Sequence, residues 1–184
     1  SCILCPPGTY GNLTSSTVCT KCDSGKMSGT VGATACTPCP AGTYDFFSGS
    51  GQCSICPLNT YQETTGSTLC KGCPLGRFSD TMGGSSLSSC SLCEAGKYGL
   101  QTGCSPCASG TVTSEVGSSR CSACVPGRYA NNNSTTCLAC SAGFYSDSAR
   151  SMSCSPCTFG TFAPSTFATV CSPCQTGSYA DLEG

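Results

Sequence analysis

The sequence predicts a small disulfide-rich fold, mostly irregular with short β-strands and no helices of note, drawn out as a rod of tandem repeats of about 17 residues. Three observations predict it. Cysteine supplies 22 of 184 residues, charged residues only 9%, and every cysteine belongs to a Cys-x-x-Cys pair. Cysteine at that density marks a disulfide scaffold. Bridges on that scale persist outside the reducing cytosol, so the expected location is extracellular or at the cell surface.

The eleven pairs open units near residues 2, 19, 36, 53, 70, 90, 104, 121, 137, 154 and 171. Seven of the ten intervals, such as Cys2 to Cys19 and Cys36 to Cys53, have the same length. Cys70 to Cys90 is three longer and the next, to Cys104, three shorter, so these two compensate; Cys121 to Cys137 is one shorter. The whole chain, 1–184, therefore reads as one continuous array. Both ends fall inside the pattern, so the chain is expected to be a stretch of a longer protein.

Each unit repeats a turn. Three residues after the second cysteine stand Gly8, Gly25, Gly42, Asn59, Gly76, Gly96, Gly110, Gly127, Gly143, Gly160 and Gly177. Asparagine is the non-glycine residue that best tolerates the left-handed region. Asn59 among ten glycines therefore points to a positive φ rather than to lack of space. Two residues further stand Tyr10, Met27, Tyr44, Tyr61, Phe78, Tyr98, Val112, Tyr129, Tyr145, Phe162 and Tyr179, a position that holds all seven tyrosines. A ring with a polar tip suits a half-exposed place where one unit covers its neighbour's disulfide; a row of rings for gripping a sugar or protein partner is the sharper reading. Alternation of period two is brief around these positions, which predicts short strands and turns.

Spacing narrows the disulfide pairing without settling it. Uniform gaps favour a ladder that joins the second cysteine of one pair to the first of the next: Cys5–Cys19, Cys22–Cys36, Cys39–Cys53, Cys56–Cys70, Cys73–Cys90, Cys93–Cys104, Cys107–Cys121, Cys124–Cys137, Cys140–Cys154 and Cys157–Cys171. Parallel first-to-third and second-to-fourth bridges are the alternative. The ladder leaves Cys2 and Cys174 without partners in this stretch. A closed loop of about 15 residues is worth roughly 3 kcal/mol, while ordering each residue costs about 1.5 kcal/mol. Stacking of each unit on its neighbours must supply the difference.

Composition narrows the function. A net charge of −1 leaves no electrostatic footprint for nucleic acid. No apolar run is long enough to span a bilayer, so direct membrane insertion is not expected of this segment. The chain has no histidine and its nine acidic residues form no paired constellation. No catalytic residue is nominated, and the expectation is a protein that is not an enzyme. Zinc held by four thiolates is the competing use of Cys-x-x-Cys, but the even gaps give no grouping into four-cysteine sites, so no metal and no cofactor are expected. Serine and threonine total 54, so hydroxyls rather than charges hydrate the surface. Asn12, Asn132 and Asn133 each open an N-glycosylation sequon, and O-linked sugars suit the hydroxyl excess.

The run Cys5-Pro6-Pro7-Gly8-Thr9-Tyr10, repeated as Cys39-Pro40-Ala41-Gly42-Thr43-Tyr44, resembles the cysteine-rich repeat of the ephrin-receptor-like family and the first small module of tumour-necrosis-factor-receptor cysteine-rich domains. The resemblance implies that the module's first cysteine closes on one about 14 residues later, which favours the ladder. It also implies an extracellular module. Receptors of this kind carry a few such units among other modules, whereas this array repeats one unit throughout. In that it is similar to long surface and flagellar-hair (mastigoneme) proteins of protists and algae. The expected function is a glycosylated structural component of an extracellular filament, appendage or coat, associating with itself or with sister filament proteins. The alternative is a rod-like receptor or adhesin ectodomain that binds a protein or glycan.

Overall fold

A computed structural model describes residues 2–14 and 17–181. The chain forms two compact units, one of residues 1–91 with 101–103, the other of residues 92–100 with 104–184. The division falls where the longest cysteine interval is followed by the shortest.

Every repeat begins with the same turn, and its chemistry is local. In the first repeat the Thr9 amide donates to the Pro6 carbonyl at 3.1 Å, and Gly8, third of the four residues, has φ +84°. A type II turn requires a positive φ there. Threonine at the fourth position closes the turn a second time: the hydroxyls of Thr9, Thr43, Thr60, Thr111 and Thr161 each donate to the carbonyl three residues back at 2.6–2.7 Å. All eleven turn positions have positive φ, including Asn59 at +61°. Lys26 and Lys97 instead pair across the same turn with Asp23 and Glu94.

The residues after the turn form one arm of a two-residue ladder, and those between the next two cysteines form the other. In the first unit Thr9–Tyr10 pairs antiparallel with Thr20–Lys21, Lys26–Met27 with Thr37–Pro38, Thr43–Tyr44 with Ser54–Ile55, and Thr60–Tyr61 with Lys71–Gly72. In the second unit the pairs are Thr111–Val112 with Ser122–Ala123, Arg128–Ala130 with Cys137–Ala139, Phe144–Tyr145 with Ser155–Pro156, and Thr161–Phe162 with Ser172–Pro173. The three residues added before Cys90 are taken up by a 3₁₀ turn, Leu87–Ser89.

In each unit the core is made of disulfides. Cys22, Cys39, Cys56, Cys73, Cys93, Cys124, Cys140 and Cys157, second members of their pairs, are almost wholly buried. Tyr61 packs with Cys73 and Cys90, the bridge of the following repeat, so the ring does cover its neighbour's cystine. Just past the aromatic position runs a second buried row: Ser28, Asp45, Gln62, Ser79, Thr113, Ala130, Ser146 and Ala163. The polar side chains of this row turn back on their own loops. The hydroxyls of Ser28, Ser79 and Ser146 donate to the carbonyls of Thr30, Thr81 and Ser148, and Gln62 Oε1 accepts from the Thr64 amide. Asp45 accepts from the Phe47 amide through Oδ1 but leaves Oδ2 buried without a partner. An orphaned buried acceptor costs about 1–3 kcal/mol. Asp45→Ser, which installs the residue used in the preceding repeat, should therefore raise the unfolding midpoint; a lowered midpoint would show that Oδ2 is satisfied in solution.

Candidate functional site

The repeats are joined by an interlock built from backbone. Most turn amides donate to the carbonyl just past the aromatic of the next repeat: Gly8 to Ser28 and Gly42 to Gln62 at 2.7 Å, Gly25 to Asp45 at 2.8 Å and Asn59 to Ser79 at 3.0 Å. In the second unit Gly96 bonds Thr113, Gly127 bonds Ser146, and Gly143 bonds Ala163, at 2.8–2.9 Å. The turn carbonyl accepts in its own repeat from the second cysteine of the following pair, as in Cys22 to Gly8 and Cys157 to Gly143.

A second row of positive φ, later in each loop, supplies the other half: Gly32, Gly49, Gly66, Gly83, Gly117, Ser134, Arg150 and Phe167. Amides of this row reach back one repeat to a cysteine carbonyl. Gly32 donates to Cys5, Gly49 to Cys22, Gly66 to Cys39, Gly83 to Cys56, Gly117 to Cys93, Arg150 to Cys124 and Phe167 to Cys140, at 2.7–3.0 Å. Sequence reasoning missed this row. Its signal is a glycine recurring seven residues after the turn position at 32, 49, 66, 83 and 117.

The row also corrects one expectation. The sequence points to turn glycines that need a positive φ rather than space, yet six of them need both. A Cβ on Gly8, Gly25 or Gly42 would overlap the carbonyl oxygen of Gly49, Gly66 or Gly83, two repeats along. In the second unit a Cβ on Gly96, Gly110 or Gly127 would overlap the carbonyl of Asn133, Arg150 or Phe167. These repeats therefore touch the next and the next-but-one neighbour. Asn59 is the informative exception, because its own next-but-one contact is made by a side chain. Nδ2 donates to the Thr102 carbonyl at 3.1 Å and Oδ1 accepts from the Ser79 amide at 3.0 Å. Two such bonds are worth about 0.5–1.5 kcal/mol each, more than glycine's advantage at positive φ. Asn59→Gly should thus destabilise the chain by about 1 kcal/mol, read as a shift in denaturant midpoint; an unchanged or raised midpoint would remove the side chain from the interlock.

The structure joins Cys5–Cys19, Cys22–Cys36, Cys39–Cys53, Cys56–Cys70 and Cys73–Cys90 in the first unit. In the second it joins Cys93–Cys104, Cys107–Cys121, Cys124–Cys137, Cys140–Cys154 and Cys157–Cys171. This is the ladder pairing, with Cα separations of 5.6–5.8 Å, and Cys2 and Cys174 are free. Cystine sulfur offers no thiolate to a metal, and no cluster of three or more histidine, cysteine or acidic residues that could hold one occurs among the described residues.

The sequon asparagines Asn12, Asn132 and Asn133 are exposed. Asn131 beside the latter two braces the loop, accepting the Thr135 and Thr136 amides at 2.8 and 3.1 Å. Of the aromatic row, Tyr61 is buried and most others are half-covered, while Phe162 and Tyr179 are exposed. Arg128 lies over the Phe167 ring at 4.5 Å, a cation–π contact between repeats. Lys71 donates to Glu63 at 2.6 Å, and that hydrogen bond, followed by the carboxylate's charge, raises the ammonium's pKa above its ordinary value. A hollow in the second unit lined by Val112, Thr113, Glu115, Ser118, Arg120 and Thr135 holds a single carboxylate and a guanidinium, with no paired acid and base. No helix among the described residues is long and apolar enough to cross a membrane.

A family model for the tyrosine-protein kinase ephrin type A/B receptor-like repeat matches residues 46–90 and 127–174, about half the chain. No curated protein gives a significant match.

Proposed function

Because the chain belongs to the ephrin type A/B receptor-like family of cysteine-rich repeats, a module that is typically extracellular and non-catalytic in kind, we propose that it is a structural segment of an extracellular filament, appendage or surface coat. Flagellar hairs of the mastigoneme type are the model for such an assembly. The observation that carries this reading is the backbone interlock recurring from repeat to repeat. Its hydrogen bonds do not depend on side-chain identity, so they hold through Ser, Asp, Gln and Ala at the buried row. Such an array is adapted to length and to resisting extension, with cystines preventing each loop from unravelling.

N-glycans on Asn12 and on Asn132 or Asn133 would hydrate a surface that carries three ion pairs among its described residues. Exposed strand edges and aromatic side chains are the elements available to sister chains. Electron microscopy of the native material is the test. Filaments or a surface-attached layer containing this chain are expected, and isolated soluble monomers would overturn the reading.

Family membership favours a second reading, an adhesin or receptor ectodomain that binds a protein or glycan. It predicts saturable binding of a soluble ligand by the isolated array, which a purely structural segment would not give.

A further inference from the structure

The hydroxyl groups of the repeats fall into separate rows, and one row has no structural task. Threonines at the turn are bonded to carbonyls, and serines or threonines past the aromatic are buried in their loops. The residue following the first cysteine of each pair is different. It is Ser or Thr in eight of eleven repeats, where composition alone would place about three. In the first unit Thr20, Thr37 and Ser54 are exposed, and in the second unit so are Ser122, Ser155 and Ser172. Their backbones sit in the two-residue ladders, while their hydroxyls make no hydrogen bond among the described residues. A solvated strand position would accept any polar residue, and Lys71 fills it in one repeat by pairing with Glu63.

Each of these hydroxyls also has the same cross-strand neighbour, the residue at the aromatic position. Tyr10 faces Thr20, Met27 faces Thr37 and Tyr44 faces Ser54. In the second unit Val112 faces Ser122, Tyr145 faces Ser155 and Phe162 faces Ser172. Directly opposed residues of an antiparallel pair share a face with Cβ atoms about 5 Å apart. A group attached to the hydroxyl therefore lies beside an apolar side chain that the protein leaves partly uncovered, Phe162 being 41% exposed.

We infer that this row is a periodic set of O-glycosylation acceptors whose sugars rest their apolar face on the cross-strand neighbour. The inference rests on the extracellular placement argued above. In the transfer, the serine or threonine oxygen attacks the anomeric carbon of a phosphate-activated sugar. The bond from that carbon to the phosphate oxygen breaks, the phosphate leaves with the electron pair, and the hydroxyl proton passes to a base of the transferase. A sugar here covers the exposed ring and blocks the open edge of a short strand pair, the task that charged residues perform on other sheets. With 9% charged residues the chain has few of those.

The test is site mapping of the native secreted protein by peptide mass spectrometry with fragmentation that preserves side-chain modifications, run without prior reduction. Hexose or N-acetylhexosamine increments are expected on Thr20, Thr37, Ser54, Ser122, Ser155 and Ser172, and not on the bonded hydroxyls of Thr9, Thr43, Thr60, Thr111 and Thr161. In the recombinant secreted chain Thr37→Ala should remove one increment and Thr43→Ala none. Bare or phosphorylated residues in the first set, or sugars confined to the second, would overturn the inference. Cystine-linked peptides with bare hydroxyls would defeat it alone, whereas free thiols in the same peptides would defeat the extracellular reading beneath it.

Discussion

Gly42→Ala is expected to lower stability by about 2–5 kcal/mol, whereas Gly66→Ala, in the second left-handed row, should cost only about 1–2 kcal/mol. Both glycines have a positive φ, +82° and +73°, which alanine adopts only with strain. They differ in what a Cβ would meet. At Gly42 it would overlap the Gly83 carbonyl, a backbone atom that cannot rotate away; at Gly66 it would make only ordinary contacts, with Pro38 at 3.6 Å and the Gly25 carbonyl at 3.8 Å. The overlap has further consequences, since the Gly83 amide is bonded to Cys56 at 2.8 Å and the Gly42 amide to Gln62 at 2.7 Å. Denaturant midpoints of the two variants, with disulfides intact, measure the difference. Equal losses would mean that only the backbone angle matters, and that next-but-one contact does not stabilise the array.

Removing one bridge as the pair Cys39→Ser and Cys53→Ser should cost about 3 kcal/mol, the loop-closure contribution of a ring of this length. The double replacement leaves no stray thiol to reshuffle. The damage is expected to extend beyond the loop. The Gly25 amide bonds to Asp45 and the Ser28 amide to Ser50, both acceptors lying inside the opened loop, and Gly49 of that loop bonds back to Cys22. Amide hydrogen exchange at Gly25, Ser28 and Gly49 should therefore accelerate about a hundredfold. Acceleration confined to residues between Cys39 and Cys53 would show that each loop is stabilised by its own cystine and that the interlock contributes little.

The cysteine pairs and the Gly-x-aromatic motif made the repeat, the turn and its positive φ legible, because these depend on residues within one loop. Asn59 identified the backbone angle for all eleven turns. It also pointed away from the second requirement, since nothing local reveals that the carbonyl of Gly49 or Gly83 approaches from two repeats further on. The buried polar row was hidden for a similar reason. Ser28, Asp45, Gln62 and Thr113 read as loop residues by composition, yet they are buried, and their side chains bond within their own loops.

The sequence by itself determined the period, the covalent cross-linking of the fold and the turn chemistry, all of which follow from residue identity at short separation. Tertiary structure alone decided that six of the turn glycines must be bare, that a second left-handed row reaches back to the cysteine carbonyls, and which hydroxyls are consumed and which stand free. These belong to backbone atoms brought together from neighbouring repeats, and a carbonyl oxygen is common to every residue, so side-chain identity carries little trace of it.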